Sequence, residues 1–503
     1  MSAYELRYKG ARWRIVYGSY EGVNAFALDE LQRVVQTFFP YVVQVQPAGS
    51  APAQGHEDHL VLVGTAKDNR LIAELEDKRL LTVPKRPESY ATACLKSPWN
   101  ADRRLLVIAG RDTSGTLYGA ESLCAGSLSR HWPSPNTPLV VPDIPARARD
   151  TFDAMPEFAN HESPAIEARG IWTWGYVIYD YKRFFDNMAR LRMNMLIVWN
   201  DCPPLNAPAI VSYAHDRGIR VIMGFHWGWG RNDLDIANPD HARMMRGEIA
   251  EQYRRDYLPL GIDGIYFQTL TEHDNTRVGA RSLAAVAADW VNAIAAGLYE
   301  INPDLYIQFG LHATSIRENY PDLSLLDPRI SIVWEDAGAL PYGYNPNETS
   351  YDAASGRAGP WSGTEPTIEY SKKLASFRPG TEFAMVPKGW TCLRWREEFE
   401  HHGPFILGER QPAWIRRRLE ERQPRWDFVN TQWIKHYPLA MRFYREILAC
   451  KPARMLVAGL VEDGMFEAAI QPGVALFAHT IWNPAKSAED ILDLATSPYY
   501  RNA

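Results

Sequence analysis

The sequence predicts an α/β protein: a closed (β/α)8 TIM barrel preceded by a small α/β sandwich domain. Three observations carry this expectation. From residue 168 onward, short apolar runs alternate with helical segments, as parallel βαβ units require. Seven or eight such repeats fit a closed barrel better than an open doubly wound sheet, and no GxGxxG fingerprint opens the first of them. A proline-rich stretch (Pro133, Pro135, Pro138, Pro142, Pro145, Pro156) separates this region from the one before it. Proline lacks a backbone N–H, so such a stretch breaks regular ladders and marks a boundary.

Taken in order, residues 1–131 read as the first domain. Ala11–Tyr17 is strand-like, and Asn24–Phe38 is an amphipathic helix that ends before Pro40. His59–Gly64 and Arg104–Ala109 are buried-strand runs, with Ala91–Leu95 a weaker strand between them. Ser114–Leu128 forms a helix with Ser114 as its expected cap. Its Gly115 and Gly119 suit close packing of helix on sheet. Residues 132–167 read as the connector, and 168–503 as the barrel with a C-terminal helical segment.

The expected barrel strands are Ala168–Trp174, Met195–Asn200, Arg220–Phe225, Gly264–Thr269, Leu305–Leu311, Ile330–Trp334 and Glu382–Val386. The eighth is either Met455–Val461 or Val474–Trp482; both are apolar runs of suitable length. Helices are expected between the strands, among them Tyr181–Leu191, Ala207–Arg217, Arg281–Ile301 and Asp427–Ala449.

Composition excludes several classes. A formal net charge of -6 argues against a nucleic-acid surface, which is normally basic. No apolar run reaches the roughly 18 residues of a membrane helix, and the opening MSAYELRYKG lacks the pattern of a signal peptide. Cys94, Cys124, Cys202, Cys392 and Cys450 are widely spaced, and they suggest neither a disulfide framework nor a zinc motif. A cytoplasmic protein without metal or cofactor is the expectation, with a homo-oligomer left open. The pair His401–His402 lies in a polar segment and reads as a solvated turn.

In a (β/α)8 barrel the chemistry sits just after the strands, on the loops leading into the helices. Those positions carry Trp172 and Trp174 after strand one, Trp199 and Asn200 after strand two, and His226 and Trp227 after strand three. Strand four leads into Gln268, Glu272 and Asp274; strand five into His312; strand six into Trp334, Glu335 and Asp336; strand seven into Lys388 and Trp390. Seventeen Trp in the chain, recurring at nearly every rim, suit stacking on the apolar faces of sugar rings. Carboxylates, amides and imidazoles suit the hydroxyls. Cleaving a glycosidic bond needs an acid to protonate the leaving oxygen and a second carboxylate as nucleophile or base. Glu272 is the expected acid, and Glu335 or Asp336 the second group; adjacent side chains are not separable by sequence. Glu462 and Asp463, before the next apolar stretch, read more simply as helix-capping residues.

At these residues the chain resembles two families of glycoside hydrolase, the α-glucuronidases and the β-N-acetylhexosaminidases. Gly110–Leu123 (GRDTSGTLYGAESL) is similar to the helix entry of their accessory domain. Thr269–Asp274 (TLTEHD) is similar to the fourth-strand Ser/Thr-Glu motif of α-glucuronidases, and Trp482–Leu492 (WNPAKSAEDIL) to the last strand-to-helix passage of related barrels. The resemblance implies an exo-acting hydrolase of a terminal uronide or hexosaminide, with Glu272 as general acid and an oligosaccharide or glycoside as substrate. Two departures stand out. Thr271 precedes Glu272 where hexosaminidases have Asp-Glu, and Lys388 follows strand seven where α-glucuronidases supply an acid. A non-catalytic sugar-binding protein on the same scaffold is the alternative.

Overall fold

The computed structural model describes residues 10–50, 55–129, 144–200, 202–228, 231–269, 275–335, 364–387, 389–390, 404–461 and 465–501. Eight parallel strands close into a barrel. In chain order they are Ala168–Trp174, Met195–Trp199, Arg220–Gly224, Gly264–Phe267, Ile307–Leu311, Ile330–Trp334, Glu382–Met385 and Arg454–Leu460. Strand eight pairs with strand one and closes the ring, with Leu460 opposite Trp172.

The undecided eighth strand is therefore Arg454–Leu460, whereas Val474–Trp482 lies in the helix Pro472–Trp482. Every residue from Gly473 to Trp482 is buried, so that helix shows no polar face to betray its period. Pro472 in its first turn is the local signal, because proline's fixed φ suits a helix start. Asp427–Ala449, expected as a helix, is the later part of a much longer one, Pro412–Ala449.

Helix starts follow from short polar side chains that cap otherwise unpaired N–H groups. Asp180 accepts from Arg183 N ahead of Tyr181–Arg190, and Ser282 from Ala285 N ahead of Leu283–Ile301. In the first domain the cap is Asp112, which accepts from Gly115 N at 2.8 Å. The expected cap, Ser114, instead lies inside the helix Thr113–Leu123.

Side chains alternate strictly across the barrel wall, as strand geometry demands. One set (Met195, Ile197, Trp199, Tyr266, Val333, Leu456, Ala458) fills the interior. The other (Leu196, Val198, Ile265, Phe267, Ile330, Ile332) packs against the surrounding helices. Gly224 leaves the room that Trp199 occupies; a Cβ there would stand 2.5 Å from Trp199 Cε3.

The first domain is a six-stranded sheet in the order β2-β1-β3-β5-β4-β6. Its strands are β1 (Trp13–Tyr17), β2 (Gln44–Pro47), β3 (His59–Thr65), β4 (Tyr90–Lys96), β5 (Arg104–Gly110) and β6 (Phe158–Glu162). The helices α1 (Gly22–Gln36), α2 (Arg70–Asp77) and α3 (Thr113–Leu123) accompany them. β1, β2, β3 and β5 are mutually parallel; β4 runs antiparallel to both β5 and β6. β6 thus falls within the 132–167 stretch and pairs back onto the first sheet. Ion pairs tie this sheet to the barrel: Arg169 to Glu88 at 2.7 Å, and Arg192 to Glu162 at 3.3 Å. Among the described residues no helix is long and apolar enough to cross a membrane.

Candidate active site

Strand parity decides which rim residues face the barrel axis. Strand six turns Ile330, Ile332 and Trp334 outward and Val333 inward, so the next residue, Glu335, falls on the inner face. Strand four likewise turns Ile265 and Phe267 outward, and Tyr266 and Gln268 inward.

These inner residues meet. Glu335, only 6% exposed, accepts on Oε1 from the Tyr266 hydroxyl and from Gln268 Nε2. Its other oxygen, Oε2, lies 3.4 Å from His312 Nε2 at the end of strand five. A carboxylate taken out of water is costly unless its oxygens are paired, and here strands four and five supply the partners. Burial, then the charge of Glu335 and its hydrogen bond, push the Tyr266 phenol well above its ordinary range. Tyr266 therefore stays protonated and keeps donating.

Gly310, the inward residue of strand five at this level, makes the meeting sterically possible. A Cβ there would collide with both Tyr266 Oη and Glu335 Oε1.

The Tyr266 ring is flanked edge-on by Trp172, with centroids 5.8 Å apart, and by Trp199 at 5.7 Å. Trp174 stands perpendicular to Trp172 at 4.6 Å. The three indoles and Tyr266 belong to one interior cluster, and the three tryptophans are nearly buried (4–8% exposed). His226 is inward by the same parity, following Gly224. Its Nδ1 is buried and meets no hydrogen-bond partner among the described residues.

Other residues expected at the site lie elsewhere. Trp227 is fully buried and stacks on the outward Phe267 with centroids 3.5 Å apart. Trp334 packs on Phe377 outside the barrel wall, and Trp390 stacks on Trp433 at 4.4 Å and packs edge-on to Phe477. All three occupy the layer between strands and helices, away from the barrel interior.

Asn200 also has a backbone role. Its Oδ1 accepts from Gly175 N at 2.7 Å, joining the loops after strands one and two. Phe405 and Leu407 cover this joint and pack close over Gly175. Glu272, Asp274, Asp336 and Lys388 lie outside the described residues, as do Glu462 and Asp463.

Tyr266 and Gly310 are the site residues that motif reading passes over. In GIDGIYFQ, Tyr266 shares a parity with Gln268; in IQFGLH, Gly310 shares one with His312. That two-residue spacing is the available signal. Among the described residues no group of three or more His, Cys, Asp or Glu is placed to hold a metal.

No family model matches the chain, and no curated protein matches it. Among solved structures the chain is similar to CpGH84B, with a TM-score of 0.50 and 11% identity over 96% of this chain and 70% of that one. Another match is the GH20 β-N-acetylhexosaminidase from Streptomyces coelicolor A3(2), with a TM-score of 0.49 and 11% identity over 98% of this chain and 93% of that one. At such identity, likeness to CpGH84B establishes a shared fold, and function has to be argued from the site.

Proposed function

We propose that this chain is a glycoside hydrolase, exo-acting on a terminal sugar of uronide or hexosaminide type. One observation carries the reading: Glu335 sits buried on the inner rim of the barrel, held by Tyr266, Gln268 and His312, beside three tryptophans.

A carboxylate fixed at the C-terminal mouth of a (β/α)8 barrel stands where such barrels do chemistry. With the Tyr266 hydroxyl and the Gln268 amide both donating to it, Glu335 serves as acceptor and negative charge. That suits the nucleophile, or the base that activates water, better than the proton donor. In this reading Glu272, following strand four, is the general acid. Asp336 is the neighbour that takes the second carboxylate's part if Glu335 only supports it. Asp274 and Lys388 contact the sugar's polar substituents.

Gln268, His226 and His312 offer amide and imidazole groups to the ring hydroxyls. The imidazole of His226 supports this most directly, because its buried Nδ1 meets no hydrogen-bond partner among the described residues and a sugar hydroxyl would satisfy it. Trp172, Trp174 and Trp199 form the apolar wall.

The test is hydrolysis of a panel of aryl glycosides, uronides and hexosaminides first, followed by release of the phenol. On an unactivated alkyl or oligosaccharide glycoside, turnover that drops about 10²–10⁴-fold in Glu272→Gln, with ligand binding retained, is the expected result for a general acid. Saturable sugar binding without hydrolysis of any activated glycoside would replace this reading with that of a binding protein.

A further inference from the structure

Away from the barrel mouth, where the first domain, the barrel and the last described helix meet, two buried carboxyls and a buried phenol are joined by two partly exposed arginines. Glu30 and Arg33 come from α1, Glu121 from α3, Arg190 from the helix Tyr181–Arg190, and Tyr499 from the terminal helix Pro498–Arg501. Arg190 grips Glu30 with two hydrogen bonds, at 3.0 and 2.9 Å. Arg33 adds a third at 2.8 Å.

The Tyr499 hydroxyl lies 2.8 Å from Glu30 Oε2 and 2.7 Å from Glu121 Oε2. A phenol has one proton to give, and an ionised carboxylate has none. Two oxygen–oxygen contacts of hydrogen-bond length around one phenol therefore need two protons, so one carboxyl brings its own. Glu30 already faces two guanidiniums. Glu121 is 1% exposed, and its Oε1 meets no hydrogen-bond partner among the described residues.

We infer that Glu121 carries a proton in the folded protein, and that this proton latches the terminal helix to the seam between first domain and barrel, a latch that alkaline solution releases. The chain of donors runs from the Glu121 carboxylic acid to the Tyr499 oxygen, and from the Tyr499 hydroxyl to Glu30, which the arginines hold. Losing the proton leaves Glu121 charged and buried, competing with Glu30 for the single proton of the Tyr499 hydroxyl.

The surroundings agree. Burial, then the charge of Glu30, raises Glu121 to about 8, against the opposing pull of Tyr499, Arg190 and Arg33. Glu30 itself is drawn down to about 2: burial works the other way but is outweighed by Arg190 and Arg33. The remaining titratable neighbours, Cys124, Tyr499 and Tyr500, are held protonated by burial. The sign follows from linkage. Between about 4.5 and about 8 the folded chain binds a proton at Glu121 that the unfolded chain has released. This contribution to stability is complete below about 4.5 and is lost as the pH climbs through about 8.

Two measurements on the full chain decide it. Difference infrared spectroscopy of wild type against Glu121→Gln at neutral pH is expected to show the C=O band of a protonated carboxylic acid, present in wild type and absent in the variant. The band should fade in wild type as the pH is raised through about 8 while the protein stays folded. Thermal unfolding is expected to show a midpoint that falls from about pH 6 to about pH 9 in wild type, and a clearly flatter profile in Glu121→Gln, whose amide donates to Tyr499 at every pH. Absence of the band, parallel pH profiles, or failure of Glu121→Gln to fold at neutral pH would each overturn the proposal.

Discussion

The Tyr266 hydroxyl donates to Glu335 Oε1 across the barrel interior, joining strand four to strand six past the bare Cα of Gly310 on strand five. Three strands thus contribute to one bond, and the proposed chemistry depends on where that bond holds the carboxylate.

Removing the hydroxyl is the first consequence to test. In Tyr266→Phe the ring and its contacts with Trp172 and Trp199 remain, but Glu335 loses a donor. A hydrogen bond to a charged group contributes about 1.5–3 kcal/mol, so kcat/KM is expected to fall roughly 10–100-fold. Circular dichroism should stay unchanged. Unaltered kinetics would separate Tyr266 from the reaction.

Gly310→Ala tests the same meeting sterically. The new methyl collides with both Tyr266 Oη and Glu335 Oε1, and overpacking of this kind costs about 1–3 kcal/mol. A lower unfolding midpoint together with reduced turnover is expected. A variant as stable and as active as wild type would mean that these groups have freedom to move apart.

Two tryptophans distinguish the inner face of the barrel from the outer. Trp199, on the inner face, is expected to act on ligand: Trp199→Ala should raise KM or weaken binding about tenfold, the loss of roughly 1.4 kcal/mol of stacking and burial. Trp334, on the outer face against Phe377, is expected to act on stability. Trp334→Ala should cost about 3–5 kcal/mol in chemical denaturation, with KM preserved in whatever remains folded. The opposite pattern would reverse the assignment of faces.

Acid stability should depend on Glu162 at the seam. Burial works to raise its carboxyl, but the charges of Arg192 and Lys486, with hydrogen bonds from Lys486 and Tyr90, bring it down to about 2. A lowered carboxyl stabilises the fold above its unfolded value, and that contribution is lost as pH falls from about 4.5 toward 2. Glu162→Gln is expected to lower stability at neutral pH by ~2 kcal/mol and to flatten the profile below pH 4.5. Denaturant titrations at several pH values check it; equal slopes in both proteins would contradict it.

Much of the barrel was legible because its strands are short apolar runs with helices between them; Ala168–Trp174 and Ile330–Trp334 are found with the expected ends. The eighth strand was not, since Val474–Trp482 is buried all round and apolarity alone separates no helix from a strand. Rim position was likewise easier to read than facing. Trp227, Trp334 and Trp390 stand at strand ends as expected, yet they point outward into the helical layer. Parity was available for Trp334, which shares a side with Ile330 and Ile332, and for Tyr266, which shares one with Gln268. Partnership across strands, such as Tyr266 with Glu335, depends on barrel closure and register, which no local pattern encodes.

The most direct measurement is turnover of an aryl glycoside by Glu335→Gln, with sugar binding followed in parallel by tryptophan fluorescence. The amide keeps the size of the side chain and removes its charge. Loss of about three orders of magnitude or more in kcat, with binding retained, is the result expected of a catalytic carboxylate. Turnover close to wild type would show that Glu335 is only a buried strut, and the proposed mechanism would fall with it.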